Sequence, residues 1–197
     1  PAAAPANTPT PQPAPTAARS EDNPLGSFAG SRLTSGWNTD FSKYSVSSDE
    51  IFSGGVPRDG IPPIYSPKQT TIQDADQWLD DQEPVIALEI EGDARAYPIQ
   101  VLIWHEIAND VVGGVPVAVT FCPLCNSAIV FDRRLDGDVH EFGVSGNLRF
   151  SDLIMWDRQT ESWWQQFTGE AIVGELTDKQ LTMIPASMIS WADFKAA

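Results

Sequence analysis

Cys122 and Cys125 are the only cysteines in the chain, and they stand two residues apart in Cys-Pro-Leu-Cys. Such a pair has three chemistries open to it. Two thiols can exchange electrons, two thiolates can ligate a metal ion, and a disulfide can staple its own turn. A thioredoxin-like dithiol needs its first cysteine at a helix N-terminus, where unpaired N–H groups and the dipole lower the thiol pKa. Here Cys125 is followed by Asn-Ser-Ala-Ile-Val-Phe, a strand sequence, so that activation is missing and a thioredoxin fold is not expected. A metal site needs further ligands, and the nearest candidates in sequence are His105, Glu106, His140 and Met155. Two thiolates with one imidazole suit copper with a weak axial ligand, or zinc with an open or carboxylate position.

The other chemistry-bearing residues fall into two groups. His105 is one of two histidines and sits in Trp104-His-Glu-Ile-Ala-Asn-Asp110. It reads either as a ligand beside the cysteines or as a helix histidine bonded to a nearby backbone group. His140, next to Glu141, reads as a surface residue. Asp152, Asp157, Arg158, Gln159, Glu161 and Gln165 form a dense polar set among Trp156, Trp163 and Trp164. Two neighbouring carboxylates can do general acid–base work. The same set reads equally as a buried salt-bridge network, such as Asp157 with Arg158 or Arg149. No G-x-S-x-G elbow, Walker loop or dinucleotide fingerprint is present.

The elements that must position these residues are mostly strands. Val117, Val119 and Phe121 before the cysteines, and Ile129, Val130 and Phe131 after them, predict antiparallel strands over 115–121 and 128–133 with the CxxC at their connection. Asp136-Gly137 then turns the chain into a third strand from Val139, making a meander. Ile86, Leu88 and Ile90 alternate with Glu89 and Glu91 ahead of Gly92-Asp93, a hairpin. Helices are expected over 71–81, over 99–109 with Pro98 opening it, and from 186 to 194, with a short capped one at Ser47-Ser-Asp-Glu-Ile-Phe52 ending at Gly54-Gly55. Val56-Pro-Arg-Asp-Gly-Ile-Pro-Pro-Ile64 reads as a structured loop in which Arg58 and Asp59 pair. The fold class is α+β, mainly antiparallel hairpins and a meander with short helices packed on one side.

Composition narrows the partners. With 42% hydrophobic and 20% charged residues, the chain can build one domain with a proper core. Net charge is −15, so the basic stripe that a nucleic acid or an anionic membrane requires is absent. No run approaches the roughly 18 apolar residues of a spanning helix. The first 18 residues are nearly all Pro, Ala and Thr and cannot form a core. Residues 1–27 are therefore expected to be a Pro/Ala-rich tether and 28–197 a single domain. A chain starting at Pro1 fits a removed leader or anchor. Membrane contact is expected only through such an anchor.

Trp104-His-Glu-Ile-Ala-Asn-Asp, Phe121-Cys-Pro-Leu-Cys-Asn-Ser-Ala, Phe142-Gly-Val-Ser-Gly and Met155-Trp-Asp-Arg-Gln-Thr-Glu-Ser-Trp-Trp-Gln-Gln resemble the bacterial and archaeal family DUF3179, over roughly 51–185. The family name denotes unknown function and implies no activity. The resemblance does imply an extracytoplasmic setting, in the periplasm or at the cell surface. Members commonly run longer, which leaves room for a further C-terminal part. The leading expectation is a tethered extracytoplasmic domain whose Cys122, Cys125 and His105 form a thiol-redox or metal site, copper slightly ahead of zinc. Glu106, Asp152, Met155, Asp157 and Arg158 are the supporting candidates. The rival is a non-catalytic accessory subunit of a membrane-associated complex, with Cys122–Cys125 as a structural disulfide. A small-molecule enzyme built on the Asp152 to Gln165 cluster stays below both.

Overall fold

A computed structural model describes residues 28–197. The tether expected over 1–27 lies outside the described residues. In chain order the elements are β1 (Ile51–Ser53), β2 (Ile64–Tyr65), α1 (Ile72–Ala75), β3 (Pro84–Ile90), β4 (Asp93–Pro98), α2 (Ile99–Leu102), β5 (Ile107–Val112), β6 (Val115–Cys122) and β7 (Ser127–Asp132). There follow β8 (Arg134–Leu135), β9 (Asp138–Val139), β10 (Phe142–Arg149), β11 (Asp152–Asp157), β12 (Trp163–Gln165), β13 (Glu170–Val173), β14 (Met183–Ile184), β15 (Ser187–Ser190) and α3 (Trp191–Ala196). The fold is α+β with antiparallel sheets dominant, as the alternation of apolar residues predicts; among the described residues the one parallel pair is β2 with β5.

Sheet one has the order β1-β10-β11-β12-β13 and sheet two the order β14-β7-β6-β5-β2. They share a core in which Ala118, Cys122 and Phe131 of sheet two meet Phe142, Val144, Leu153, Met155 and Trp164 of sheet one. The period of a strand does the rest of the sorting. Val117, Val119 and Phe121 leave that core and pack with Ile86, Leu88 and Tyr97 of a third sheet, β15-β3-β4. On the far side of sheet one, Ile154, Trp156 and Trp163 pack with Phe28, Phe41 and Tyr44 of the N-terminal segment. β11 is consequently buried along its whole length, which explains its run Leu-Ile-Met-Trp with no polar alternation.

Several elements differ from expectation. Helix α2 stops at Leu102, because Glu106 adopts a left-handed φ of 58° and Ile107 begins a strand paired with β6. His105 and Glu106 thus lie in a turn, not on a helix. The meander in sheet two is β5-β6-β7, whereas β10, expected to be its third strand, crosses to sheet one after the small β8–β9 hairpin. The helix expected over 71–81 is short at Ile72–Ala75, capped by the Thr71 side chain. The segment read as a terminal helix is a strand, β15, followed by α3. Ser47 and Glu50 do form a capping box, but around one 3-10 turn that runs straight into β1.

Candidate functional site

The CxxC turn closes the β6–β7 hairpin. Cys122 is the last paired residue, opposite Ser127, leaving 123–126 as the connection. Asn126 completes the turn at a φ of 50°, a conformation its short polar side chain tolerates. Strand alternation turns Cys122 inward with Ala118, 1% exposed, while Cys125 is exposed on the turn. Both are free thiols. Burial, helped by the neighbouring Cys125 thiol, pushes the Cys122 thiol up to about 12. Backbone N–H groups of Cys125 and Leu153 act on the same sulfur in the opposite sense.

Asp152 completes the cluster. It opens β11 and is buried, with its Oδ1 3.4 Å from the Cys125 sulfur. The two sulfurs and one Asp152 oxygen all lie within 4.8 Å of one another. The second Asp152 oxygen accepts hydrogen bonds from the Gln165 amide and, at 2.9 Å, from the Phe167 N–H. Arg149, itself paired with Glu50 at 2.6 Å, donates to Gln165 Oε1 and fixes that amide. On the cysteine side, Ser127 Oγ lies 3.1 Å from Cys125 Sγ and donates to Gln166 Oε1. Gln166 Nε2 donates to Thr120 Oγ1, whose hydroxyl is anchored on the Ile129 carbonyl. The donor atoms are thus held by a second layer of bonds, the arrangement that orients metal ligands.

The remaining sequence-predicted residues go elsewhere. His105 donates Nδ1–H to the Pro62 carbonyl at 2.7 Å and is not part of the cluster. Glu106 lies apart too; its left-handed backbone costs about 1–2 kcal/mol. Its carboxyl has no hydrogen-bond or ion partner among the described residues, and burial alone raises its pKa to about 7. Met155 is a core side chain between the first two sheets. Asp157 is fully buried and pairs with no arginine: it accepts from Trp164 Nε1 at 2.9 Å and Thr160 N at 2.8 Å. Arg158 pairs with Asp59 at 2.8 Å and lies over the Trp156 ring, while Arg58 pairs with Glu161, so the Arg58–Asp59 pair does not form. His140, expected on the surface, is 5% exposed, because the chain dives there between the two sheets and brings Nδ1 to 3.5 Å from Asp157.

Sequence reasoning missed Thr120, Ser127 and Gln166. A signal for Thr120 was present: it sits two residues before Cys122, on the same strand face, and a hydroxyl at such a position needs a partner. A larger cavity, of about 980 Å³, lies between β3–β4, α1 and α3 and is lined by none of the cluster residues. The chemistry, not the volume, singles out the cysteine turn.

No curated protein and no solved structure matches the chain. Residues 58–197, which include the CxxC turn, Asp152 and both glutamines, match the family described as "Protein of unknown function (DUF3179)". The chain belongs to the DUF3179 family.

Proposed function

We propose that Cys122, Cys125 and Asp152 form a three-ligand metal site with an open fourth position, best suited to zinc. The supporting observation is the spacing. A tetrahedral zinc held at about 2.3 Å by sulfur and about 2.0–2.2 Å by oxygen needs sulfur and oxygen about 3.6 Å apart. Cys125 Sγ and Asp152 Oδ1 are 3.4 Å apart, and the second sulfur is within reach of both. A carboxylate in place of the expected imidazole shifts the preference from copper to zinc, because Cu(I) favours an all-soft donor set. Metal binding would displace the Cys122 proton that burial now retains, so affinity rises with pH. The tethered extracytoplasmic setting expected from the N-terminal sequence belongs to the same reading, with the ion protecting the thiols from oxidation. Titration of the reduced protein with Zn(II), and with Co(II) as a spectroscopic stand-in, tests this. One ion per chain and a thiolate-to-cobalt charge-transfer band are expected. Absence of both under reducing conditions would sink the reading.

One observation favours a second reading. Cys125 is exposed and Cys122 buried, the division of labour of an attacking and a resolving thiol. In that case two thiols give up two electrons and two protons to a partner disulfide, and no metal binds. The same titration separates the two readings.

A further inference from the structure

The CxxC turn has a second side. Pro123 and Leu124 form one wall of a cleft of about 210 Å³, whose other walls come from the loop after β1, from Glu106, and from β10 and Leu153 of β11. Gly146 makes the cleft possible: it sits in the irregular stretch of β10 at a φ of 80°, and a Cβ there would run into the Val56 carbonyl. Most of the lining is apolar, including Ile61, Leu148 and Leu153. Two polar side chains interrupt it. Asn147 is 7% exposed, lines the cleft, and its carboxamide makes no hydrogen bond among the described residues. Glu106, the single ionisable residue of the lining among the described residues, has no partner for its carboxyl among them either. Its neighbour His105 is engaged with the Pro62 carbonyl, and Cys122, Cys125 and Asp152, on the adjoining elements, do not line the cleft.

Two polar side chains without protein partners among the described residues, Asn147 buried and Glu106 half-buried, face one small apolar space and call for a ligand that supplies what they lack. An anion is opposed by Glu106. A hydrated metal ion has no use for the apolar walls. An ammonium group satisfies both: it gives the carboxylate a charge-assisted hydrogen bond and donates to the Asn147 oxygen. The chain's net charge of −15 also concentrates cations around it. The volume is below the roughly 300–1,000 Å³ of drug-sized pockets, so the ligand is short. We infer that this cleft binds a small primary amine, its ammonium held by Glu106 and Asn147 and its hydrocarbon part lying on Ile61, Leu148 and Leu153. This site stands whether or not the cysteine cluster holds a metal.

The test is an NMR titration of the full chain with n-butylamine, against 1-butanol as the uncharged match, at pH 5 and pH 8 and with a metal chelator present throughout. The amine is a cation at both values, so the change in pH acts on the protein. With a free Glu106 that titrates near 7, amine affinity should be about a hundredfold weaker at pH 5 than at pH 8. Glu106→Gln should abolish the preference for amine over alcohol. Should that variant fail to fold, the side-chain carboxyl ¹³C resonance of Glu106 in the wild-type protein reports the same contact, moving with amine and not with alcohol. Equal binding of both probes, affinity that is flat between pH 5 and pH 8, a resonance indifferent to amine, or no binding of either probe each overturns the inference.

Discussion

β11 ends in an aspartate at both of its termini, and the two aspartates have opposite fates. Asp157 is fully buried and both of its oxygens are taken up, by the Trp164 indole, the Thr160 amide and the Thr160 hydroxyl. It is a closed knot, and its hydrogen-bonding capacity is spent on holding β11, β12 and their connection in place. Asp152 is also buried, and its Oδ2 accepts from two amide N–H groups, whereas Oδ1 has only the weakly donating thiol of exposed Cys125, at 3.4 Å. The same residue type on the same strand thus serves architecture at one end and remains open to chemistry at the other. What separates them is the kind of donor on the last oxygen, a replaceable thiol proton at Asp152 against amide, indole and hydroxyl groups at Asp157, not burial. Proteins usually satisfy such groups internally, and the exceptions are where ligands are sought.

That contrast can be broken by mutation, and the largest effect should fall on the closed end. Asp157→Ala strands the Trp164 indole N–H and the Thr160 amide, so urea denaturation should show a loss of about 3–5 kcal/mol, irrespective of metal. Asp152→Ala should cost about 1–2 kcal/mol by the same measurement, because the Gln165 amide keeps the Arg149 carbonyl as a partner and Phe167 is exposed. Equal losses would erase the distinction. At the open end, Cys125→Ser should lower zinc affinity at least about a hundredfold by competition with a chelating dye, beyond what outer partners contribute. Gln165→Leu, which removes the bond that aims Asp152, should lower it about 10–100-fold while leaving the stoichiometry at one.

Smaller effects sharpen the picture around the turn. Glu106 titrates near 7 in the folded chain, above the ordinary carboxyl range, because burial favours its neutral form. Between about pH 4.5 and 7 the unfolded chain therefore holds fewer protons at this position than the folded one. Its contribution to stability is full below that window and is lost as pH rises through 7, by about 1–2 kcal/mol after allowance for its partial exposure. Glu106→Gln should accordingly raise stability at pH 8 and leave it unchanged at pH 4, measured by thermal melts at both values. His105→Ala should be the mildest, with zinc affinity changed less than about twofold, as for a substitution away from the site. A large loss there would return the imidazole to the ligand set.

The hairpin carrying the cysteines was legible because alternation and turn chemistry are local: Val117 to Phe121 names its inner and outer faces without any knowledge of partners. Helix α2 was overextended for the same reason, since Leu102, Ile103 and Ile107 fit a helical period and no glycine marks the stop. The break is made by Glu106 entering the left-handed region, held there by strand pairing at Ile107 that local sequence does not display. His140 was misplaced because Asp138, Val139 and Glu141 around it look solvated, and they are. Its burial comes from the crossing between two sheets, a property of topology. Asp152 was recognisable as a polar residue in an apolar strand, but its nearness to Cys125 rests on pairing between distant segments. The amine cleft was invisible, because Ile61, Glu106, Leu124 and Asn147 come from four separate stretches of chain.

The three donor atoms of the cysteine cluster belong to different sheets. The thiols sit on the tip of a sheet-two hairpin, whereas Asp152 is the first residue of a sheet-one strand. An ion gripped there would act as a rivet through the sandwich, fastening two plates that are otherwise joined by packing and by side-chain hydrogen bonds such as Asn109 to Phe142 and Gln166 to Thr120. Metal supply would then govern mechanics as well as chemistry: the plates would slide or part more readily when the rivet is drawn. Amide exchange in β6 and β11 would quicken before the rest of the molecule loosens, turning the tightness of the shared core into a gauge of how much metal surrounds the protein.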